Sequence, residues 1–224
     1  MKSINKRLSA KEAVSLIKDG SKVMVGGFGL RGYPEELVEA LAGSNIKNLT
    51  IISNDLGSPG IGLGKLLNNG QIKKLIGTHY GNNPDVVDFF NKGIIEIELM
   101  PQGNFAEAIR AAGVGIPAFY TPIGYGTDLS IGKEIRTFNG INTLLITSLE
   151  ADVALIKAYK ADHLGNLVYY KTARNFNPIM AMAGKLVIAQ VDEIVPTGTL
   201  DPEMIITPHV FVDILVERSK GDVN

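Results

Sequence analysis

The chain has 224 residues, 45% hydrophobic and 20% charged, which excludes an intrinsically disordered chain because there is ample apolar surface to bury. Lysine and arginine number 22 against 23 aspartates and glutamates, so a net charge of −1 supplies no general attraction for nucleic acid or an anionic membrane. Cysteine is absent, which excludes disulfides, thiolate nucleophiles and cysteine metal sites and favours a cytoplasmic location.

The first half of the chain alternates between helix and strand patterns. Ser9 and Glu12 form a capping box, short apolar runs indicate buried strands, and Gly or Pro residues separate the elements. This alternation is typical of a parallel sheet. The predicted elements are a helix at 9–20, a strand at 23–25, a helix at 34–43 with Pro34 at its first position, strands at 49–52 and 75–77, a helix at 83–92, an edge-like strand at 94–100, and a helix to 112 capped by Asn104.

The second half has a different pattern. Residues 113–127 are rich in Gly and Pro, and they predict a long ordered loop. The turn Asn139–Gly140 predicts a hairpin. The further predictions are an antiparallel pair at 153–159 and 167–170, a short helix opened by Asn177–Pro178, a turn or helix start at Asp201–Pro202, and strands at 186–191 and 214–216.

These patterns predict an α/β fold with an open, mainly parallel sheet flanked by helices and an antiparallel patch in the second half. The length favours a single domain over 1–218, followed by a polar tail at 219–224. The polar start of the chain, at 1–6, predicts no targeting signal, and no apolar run approaches the ~20 residues that span a bilayer. The three histidines are far apart and lack metal-ligand spacing, so no metal site is predicted.

The loop after the first strand is the richest in glycine. Gly27, Gly29 and Gly32 fit G-x-G-x-x-G between a strand and a helix, and Asp55 follows the second strand roughly where a ribose-binding acid would lie. One interpretation is therefore an NAD-dependent oxidoreductase. Against it, Pro34 removes a backbone donor at the helix start, and acidic residues fill the first turn, where a pyrophosphate needs positive charge.

A longer string around this loop is more specific. From Asp19 to Pro34 the chain reads Asp-Gly, then three apolar residues, then Gly-Gly-Phe and a closing Gly-x-Pro, and this resembles the signature of family I coenzyme A transferases. Other stretches resemble the α subunits of the bacterial two-subunit members, in the same order over nearly the whole chain: Ser53-Asn54-Asp55, Gly60-Ile61-Gly62, Met100-Pro101-Gln102-Gly103 and Ala173-Arg174-Asn175-Phe176-Asn177-Pro178.

The resemblance implies a two-step exchange of coenzyme A (CoA) between carboxylic acids. A glutamate attacks the acyl-CoA thioester to form a mixed anhydride, CoA thiolate returns to give a glutamyl-CoA thioester, and an acceptor acid reverses the sequence. It implies a CoA thioester as substrate and no tightly bound cofactor. The family's glutamate lies in a Glu-Asn-Gly motif of the β part, and that motif does not occur here. The implied partner is therefore a β subunit that carries the glutamate, in an α2β2 assembly.

The resemblance also suggests binding residues in this chain, and no catalytic ones. In the family the glycine-rich loop is assigned to CoA; here it comprises Gly26, Gly27, Phe28, Gly29, Leu30, Arg31 and Gly32. Asn54 and Gln102 each follow a predicted parallel strand, so we expect both at one edge of the sheet. A neutral amide there donates to developing negative charge without forming a lasting ion pair, which suits a positioning role. A non-catalytic ligand-sensing module on a related fold remains a further alternative.

Overall fold

The structure is a computed structural model that describes residues 6–219. The predicted polar start at 1–5 and residues 220–224 of the predicted tail lie outside this range. Within it the strands are β1 (Lys22–Val25), β2 (Leu49–Ile52), β3 (Ile72–Gly77), β4 (Glu96–Leu99), β5 (Ala118–Thr121), β6 (Ile135–Phe138), β7 (Ile141–Thr147), β8 (Ala151–Asp162), β9 (Leu167–Val168), β10 (Gly184–Val195) and β11 (Ile214–Glu217).

Six α-helices connect or flank these strands within the described range. They are α1 (Ala10–Val14), α2 (Glu35–Ala42), α3 (Leu63–Asn68), α4 (Pro84–Asn91), α5 (Gln102–Gly113) and α6 (Asn177–Ala183). Short 3-10 turns lie at Asp128–Ser130, Lys171–Arg174, Pro202–Met204 and His209–Phe211. Among residues 6–219, no helix is long and apolar enough to cross a membrane.

An eight-stranded sheet forms the centre of the fold. Seven strands lie in the order β11-β10-β8-β1-β2-β3-β4 with parallel pairing throughout, and β9 pairs antiparallel with the end of β8. The mainly parallel α/β prediction is therefore confirmed, as is the edge position of the strand that contains Glu96 and Glu98.

The predicted antiparallel patch is a separate three-stranded sheet in the order β5-β7-β6. Asn139 and Gly140, with φ of +49° and +78°, form the predicted two-residue turn between β6 and β7. The predicted loop at 113–127 is wrong in part, because β5 lies inside it and pairs with β7. Four residues between Gly- and Pro-rich flanks carry no clear period, so only the partner strand reveals β5.

The core lies on both faces of the large sheet. Along β1, Val23 and Val25 pack into the cluster that also contains Leu37 of α2, whereas Met24 faces the cluster of α5 and α6. On that second face the rings of Phe105 and Phe176 meet edge to face, with centroids 5.5 Å apart. This two-sided burial is what a continuous apolar strand run predicts.

Three helix predictions need correction. The first helix keeps its Ser9 capping box but ends at Val14, well before Gly20. Helix α3 was not predicted at all, because it is short and begins after the glycine-rich stretch that contains Gly62. Asn104 is not a cap: α5 begins at Gln102 after Pro101, so Asn104 lies inside the helix. It is buried and donates its side-chain amide to the Ile123 carbonyl at 3.0 Å, which fixes the following loop.

Candidate active site at the carboxyl edge of the sheet

The ends of β1 to β4 bring four chain segments to one edge of the large sheet. These are the glycine loop at 26–32, the segment at 54–58 after β2, the segment at 78–83 after β3, and the start of α5 after β4. Together they enclose a cavity of about 390 Å³. It is lined by Phe28, Gly29, Leu30, Asn54, Asp55, Leu56, Gly57, Ser58, Thr78, His79, Tyr80, Asn82, Asn83 and Gln102.

Asn54 and Gln102 meet at this edge, as their positions after parallel strands predict. Gln102 Nε2 donates to Asn54 Oδ1 at 2.8 Å. The Thr78 hydroxyl donates to the same oxygen at 3.0 Å. Asn54 Nδ2 in turn donates to Asp55 Oδ2 at 2.7 Å. Asn54 is almost fully buried, whereas Gln102 is exposed. The network therefore runs from a buried amide to one at the open side of the cavity.

The chemistry of Asp55 fixes the orientation of both amides. An ionised carboxylate only accepts hydrogen bonds, so the Asn54 side chain must turn its NH2 group toward Asp55. Its oxygen then faces Gln102, which must present its own NH2 group. Each NH2 group carries two N–H bonds, and Gln102 uses only one of them among the described residues. An oriented donor thus remains at the cavity.

Asp55 also anchors the glycine loop. Its Oδ2 accepts the Gly29 amide at 2.8 Å, and its Oδ1 accepts the Gly57 amide at 2.8 Å. Phe28 and Arg31 exchange backbone hydrogen bonds, which closes the tip of the loop into a tight turn. Gly29 adopts φ of +56°, which glycine tolerates without strain. The carboxylate that resembled a ribose-binding acid therefore holds the protein's own backbone.

Most amides of the glycine loop are used internally. Those of Gly26, Phe28, Gly29 and Arg31 have acceptors within the chain. The amides that make no hydrogen bond within residues 6–219 belong to Gly27, Leu30 and Gly32. The loop is thus a braced turn with few free donors, rather than the open nest of amides that its glycine content suggests.

The start of α2 is likewise occupied. Pro34 is the N-cap rather than the first helical residue and has no side-chain cap. Instead, the buried Gln190 reaches from β10, and its Oε1 accepts the amides of Glu36 at 2.9 Å and Leu37 at 3.4 Å. These are the donors that a dinucleotide pyrophosphate would need. Local spacing suggested that geometry, and the structure does not contain it.

A sequence model described as coenzyme A transferase matches residues 7–218. The chain belongs to the coenzyme A transferase family.

Curated relatives agree with this membership, and both are single subunits of larger enzymes. One, from a probable succinyl-CoA:3-ketoacid coenzyme A transferase of Bacillus subtilis, is 50% identical over 93% of this chain and 87% of its own length. Another, from the 3-oxoadipate CoA-transferase of Pseudomonas putida, is 51% identical over 94% of this chain and 92% of its own length. This transferase chain therefore works with a partner subunit.

Solved structures share the fold. The acyl-CoA transferase YdiF of Escherichia coli O157:H7 superposes with a TM-score of 0.87 in its apoenzyme form, at 26% identity over 97% of this chain. A thioester complex of YdiF with CoA superposes with a TM-score of 0.85 at 27% identity. This chain spans about half the length of the YdiF chain, 48% and 50% in the two structures.

The transferase site contains contacts that the sequence interpretation missed. Asn177 was assigned to a turn or cap, but Phe176 is the N-cap of α6, and Asn177 is fully buried behind the glycine loop. Its Nδ2 donates to the carbonyls of Gly32 and Ala173, each at 2.9 Å. A Cβ atom on Gly26 would lie 1.9 Å from Asn177 Oδ1, so the glycine is required there by close packing. No local pattern signals these contacts, because they join residues far apart in the chain.

Two buried polar groups beside the cavity of this transferase lack partners within the described chain. They are the hydroxyl of Tyr80 and the side-chain nitrogen of Asn83. Burial raises the pKa of the Tyr80 phenol, with the nearby charge of Asp55 acting in the same direction, so it stays a neutral donor. His79 lies at the exposed side. Over residues 6–219 no group of three or more His, Asp or Glu side chains is arranged to hold a metal ion.

Proposed function

We propose that this chain is the α subunit of a short-chain acyl-CoA:carboxylate CoA-transferase, of the acetate, butyrate or 3-oxoacid kind. Relatives at 50% and 51% identity carry the names of subunits of succinyl-CoA:3-ketoacid and 3-oxoadipate transferases. The observation that carries the proposal is the pair Asn54 and Gln102, which places oriented neutral donors at a cavity. Acetate, butyrate, acetoacetate and succinate are the candidate acids.

The proposed reaction is covalent exchange on a glutamate of the partner subunit. Its carboxylate oxygen attacks the thioester carbonyl, and the C–S bond breaks to release CoA thiolate and leave an acyl-glutamyl anhydride. The thiolate attacks the glutamyl carbonyl, which releases the first carboxylate and forms the glutamyl-CoA thioester. The acceptor carboxylate then repeats these steps in reverse, so protons and electrons balance without a further reactant.

The part of this chain in that sequence is to bind and to stabilise charge. In each addition step an oxyanion develops on the attacked carbonyl, and the unused N–H of Gln102 is the donor we assign to it. Asn54 and Asp55 hold that donor in place and cannot rotate freely, because all three groups are linked by hydrogen bonds. The loop from Gly26 to Gly32 would lie along the CoA chain, with Phe28 and Leu30 exposed toward it.

A separate β subunit follows from what the cavity lacks. No glutamate is among the residues that line it, and Glu-Asn-Gly does not occur in the chain. The match to about half of YdiF is consistent with a second chain that supplies the other half. An α2β2 assembly and a cytoplasmic location belong to the same proposal, the latter resting on the absence of cysteine. So does a single transferase domain over 1–218.

The test is reconstitution. This chain is purified alone and together with its β subunit, and CoA transfer from succinyl-CoA to acetoacetate or acetate is measured. We expect no transfer by the chain alone, full activity of the mixture, and a mass by light scattering that fits α2β2. Transfer by the chain alone would overturn the division of labour. Micromolar NAD(H) binding without any response to acyl-CoA would favour an oxidoreductase, and CoA binding without a β-like partner would favour a sensor.

A further inference from the structure

The glycine loop is fastened to a chain segment more than 140 residues away. Asn175 Nδ2 donates to the Arg31 carbonyl at 2.9 Å, across 144 residues of sequence. Asn177 adds the bond to Gly32. A Cβ atom on Gly32 would lie 2.5 Å from the Ala173 carbonyl oxygen, so the two backbones are in direct contact. The 3-10 turn at Lys171–Arg174 therefore sits against the outer end of the loop.

This junction concentrates positive charge. Arg31, Lys171 and Arg174 are all exposed, and within residues 6–219 none of them forms an ion pair with a carboxylate. Lys171 lies over the neutral ring of Tyr170, with Nζ 5.0 Å from its centroid. Exposed cations elsewhere, such as Lys92 with Asp88, do pair. In a chain of net charge −1, three neighbouring unpaired cations form a local positive field.

Nearby carboxylates do not neutralise the junction. Asp55 is committed to the hydrogen bonds of Gly29, Gly57 and Asn54. In the first turn of α2, one glutamate lies 3.9 Å from a guanidinium of Arg218, and the other accepts hydrogen bonds from Ser219. These partners draw the acidic side chains away from the loop, toward the other side of the helix start.

The backbone of Lys171 is an independent sign of function. It adopts φ of +50°, a left-handed conformation that is costly for a residue with a side chain. Such outliers persist where the surroundings hold them, and they cluster at ligand-binding sites. Here the conformation begins the turn that presents Lys171 and Arg174 beside the loop.

We propose that Arg31, Lys171 and Arg174 form a binding site for the phosphate groups of the nucleotide portion of CoA. This inference rests on the proposed function. Phe28, Gly29 and Leu30 line the cavity, and Arg31 is the next residue, so a ligand whose thioester enters the cavity passes along the loop to the three cations. Guanidinium groups bind phosphate through paired hydrogen bonds, and an ammonium adds a point charge. Asn175 and Asn177 are positioning residues that keep the two segments together.

The test compares two acyl donors in the complex with the β subunit. Succinyl-CoA carries the nucleotide phosphates, and succinyl-pantetheine lacks them. For R31Q/K171Q/R174Q we expect kcat/KM with succinyl-CoA to fall about tenfold or more, while that with succinyl-pantetheine stays within about twofold. Raised salt should reduce the difference between wild type and variant, because it screens charge. Lys73→Gln, at the opposite end of β3, is the control and should change neither value.

Equal effects of the triple substitution on both donors, or no effect on either, would overturn the phosphate site while leaving the transferase proposal intact. If the wild-type complex transfers CoA from no acyl-CoA, the proposed function fails and this site fails with it. Thermal unfolding is measured first. Should the triple variant not fold, the single variants replace it, each with an expected loss of about threefold that is specific to succinyl-CoA.

Discussion

Gln102 Nε2 and Asn54 Oδ1 lie 2.8 Å apart, although 48 residues separate them in the chain. The contact exists because β2 and β4 end at the same edge of a parallel sheet, one strand apart across β3. Asp55, through its bond to Asn54, sets the direction of every donor in this network. A catalytic edge made of neutral amides suits a site that must accept a thioester, an anhydride and a carboxylate in turn.

The first prediction concerns Gln102. In the α–β complex, Gln102→Ala should lower kcat about 10²-fold, because an oxyanion donor is removed. The melting temperature should hardly change, since the side chain is exposed. Glu107→Gln, on the exposed surface of the same helix, is the matched control and should retain wild-type kcat. An unchanged kcat for Gln102→Ala would exclude its role at the reacting carbonyl.

Asp55 should matter for both stability and binding. Asp55→Asn leaves one acceptor oxygen for three donors, from Gly29, Gly57 and Asn54. We expect a loss of about 1–3 kcal/mol in the free energy of unfolding, measured with urea, together with a raised KM for acyl-CoA. Asp19→Asn is the control, because its side chain accepts a single amide, that of Lys47, and an asparagine oxygen can do the same. A wild-type urea midpoint for Asp55→Asn would contradict the anchoring role.

Two glycines of the same loop should respond differently to alanine. Gly26→Ala places Cβ 1.9 Å from Asn177 Oδ1, so it should disrupt the buried amide and cost about 3 kcal/mol. Gly29→Ala meets no atom within 4 Å and suffers only its positive φ, at about 1–2 kcal/mol. Unfolding curves of the two variants give the order directly. A larger loss for Gly29→Ala would mean that backbone strain, rather than packing on Asn177, requires glycine in this loop.

Gln190 should stabilise the start of α2. Gln190→Leu removes the acceptor for the amides of Glu36 and Leu37, and we expect a loss of about 1–3 kcal/mol in the free energy of unfolding. Hydrogen exchange should accelerate selectively at those two amides. Because the native glutamine occupies these donors, calorimetry of the wild-type chain should detect no NAD(H) binding. Unaltered exchange at Glu36 and Leu37 in the variant would show that another group satisfies them.

Local signals account for the parts of the fold that the sequence predicts. The apolar runs of β1 and β2, the Ser9 capping box and the Asn139–Gly140 turn each carry their information within a few residues. Strand β5 and helix α3 do not, since both are short and flanked by glycine or proline. Their structure depends on partners distant in sequence, which local periodicity does not reveal.

The site divides in the same way. Asn54 and Gln102 are predictable because each directly follows a strand of a parallel sheet, and topology brings those positions together. Asn177 and Gln190 are not, because their contacts with the loop and with α2 cross 145 and 154 residues. A buried asparagine or glutamine has no local pattern that distinguishes it from one in a turn. Only the folded structure shows that these amides hold the binding loop and the helix start.

The central claim is that this chain positions CoA and the acyl group while the β subunit supplies the nucleophile. The α–β complex is incubated with succinyl-CoA and treated with borohydride, which reduces a glutamyl-CoA thioester to an alcohol. The two chains are then separated and mapped by peptide mass spectrometry. We predict one reduced glutamate in the β chain and none in this chain; a reduced glutamate in this chain would contradict the claim.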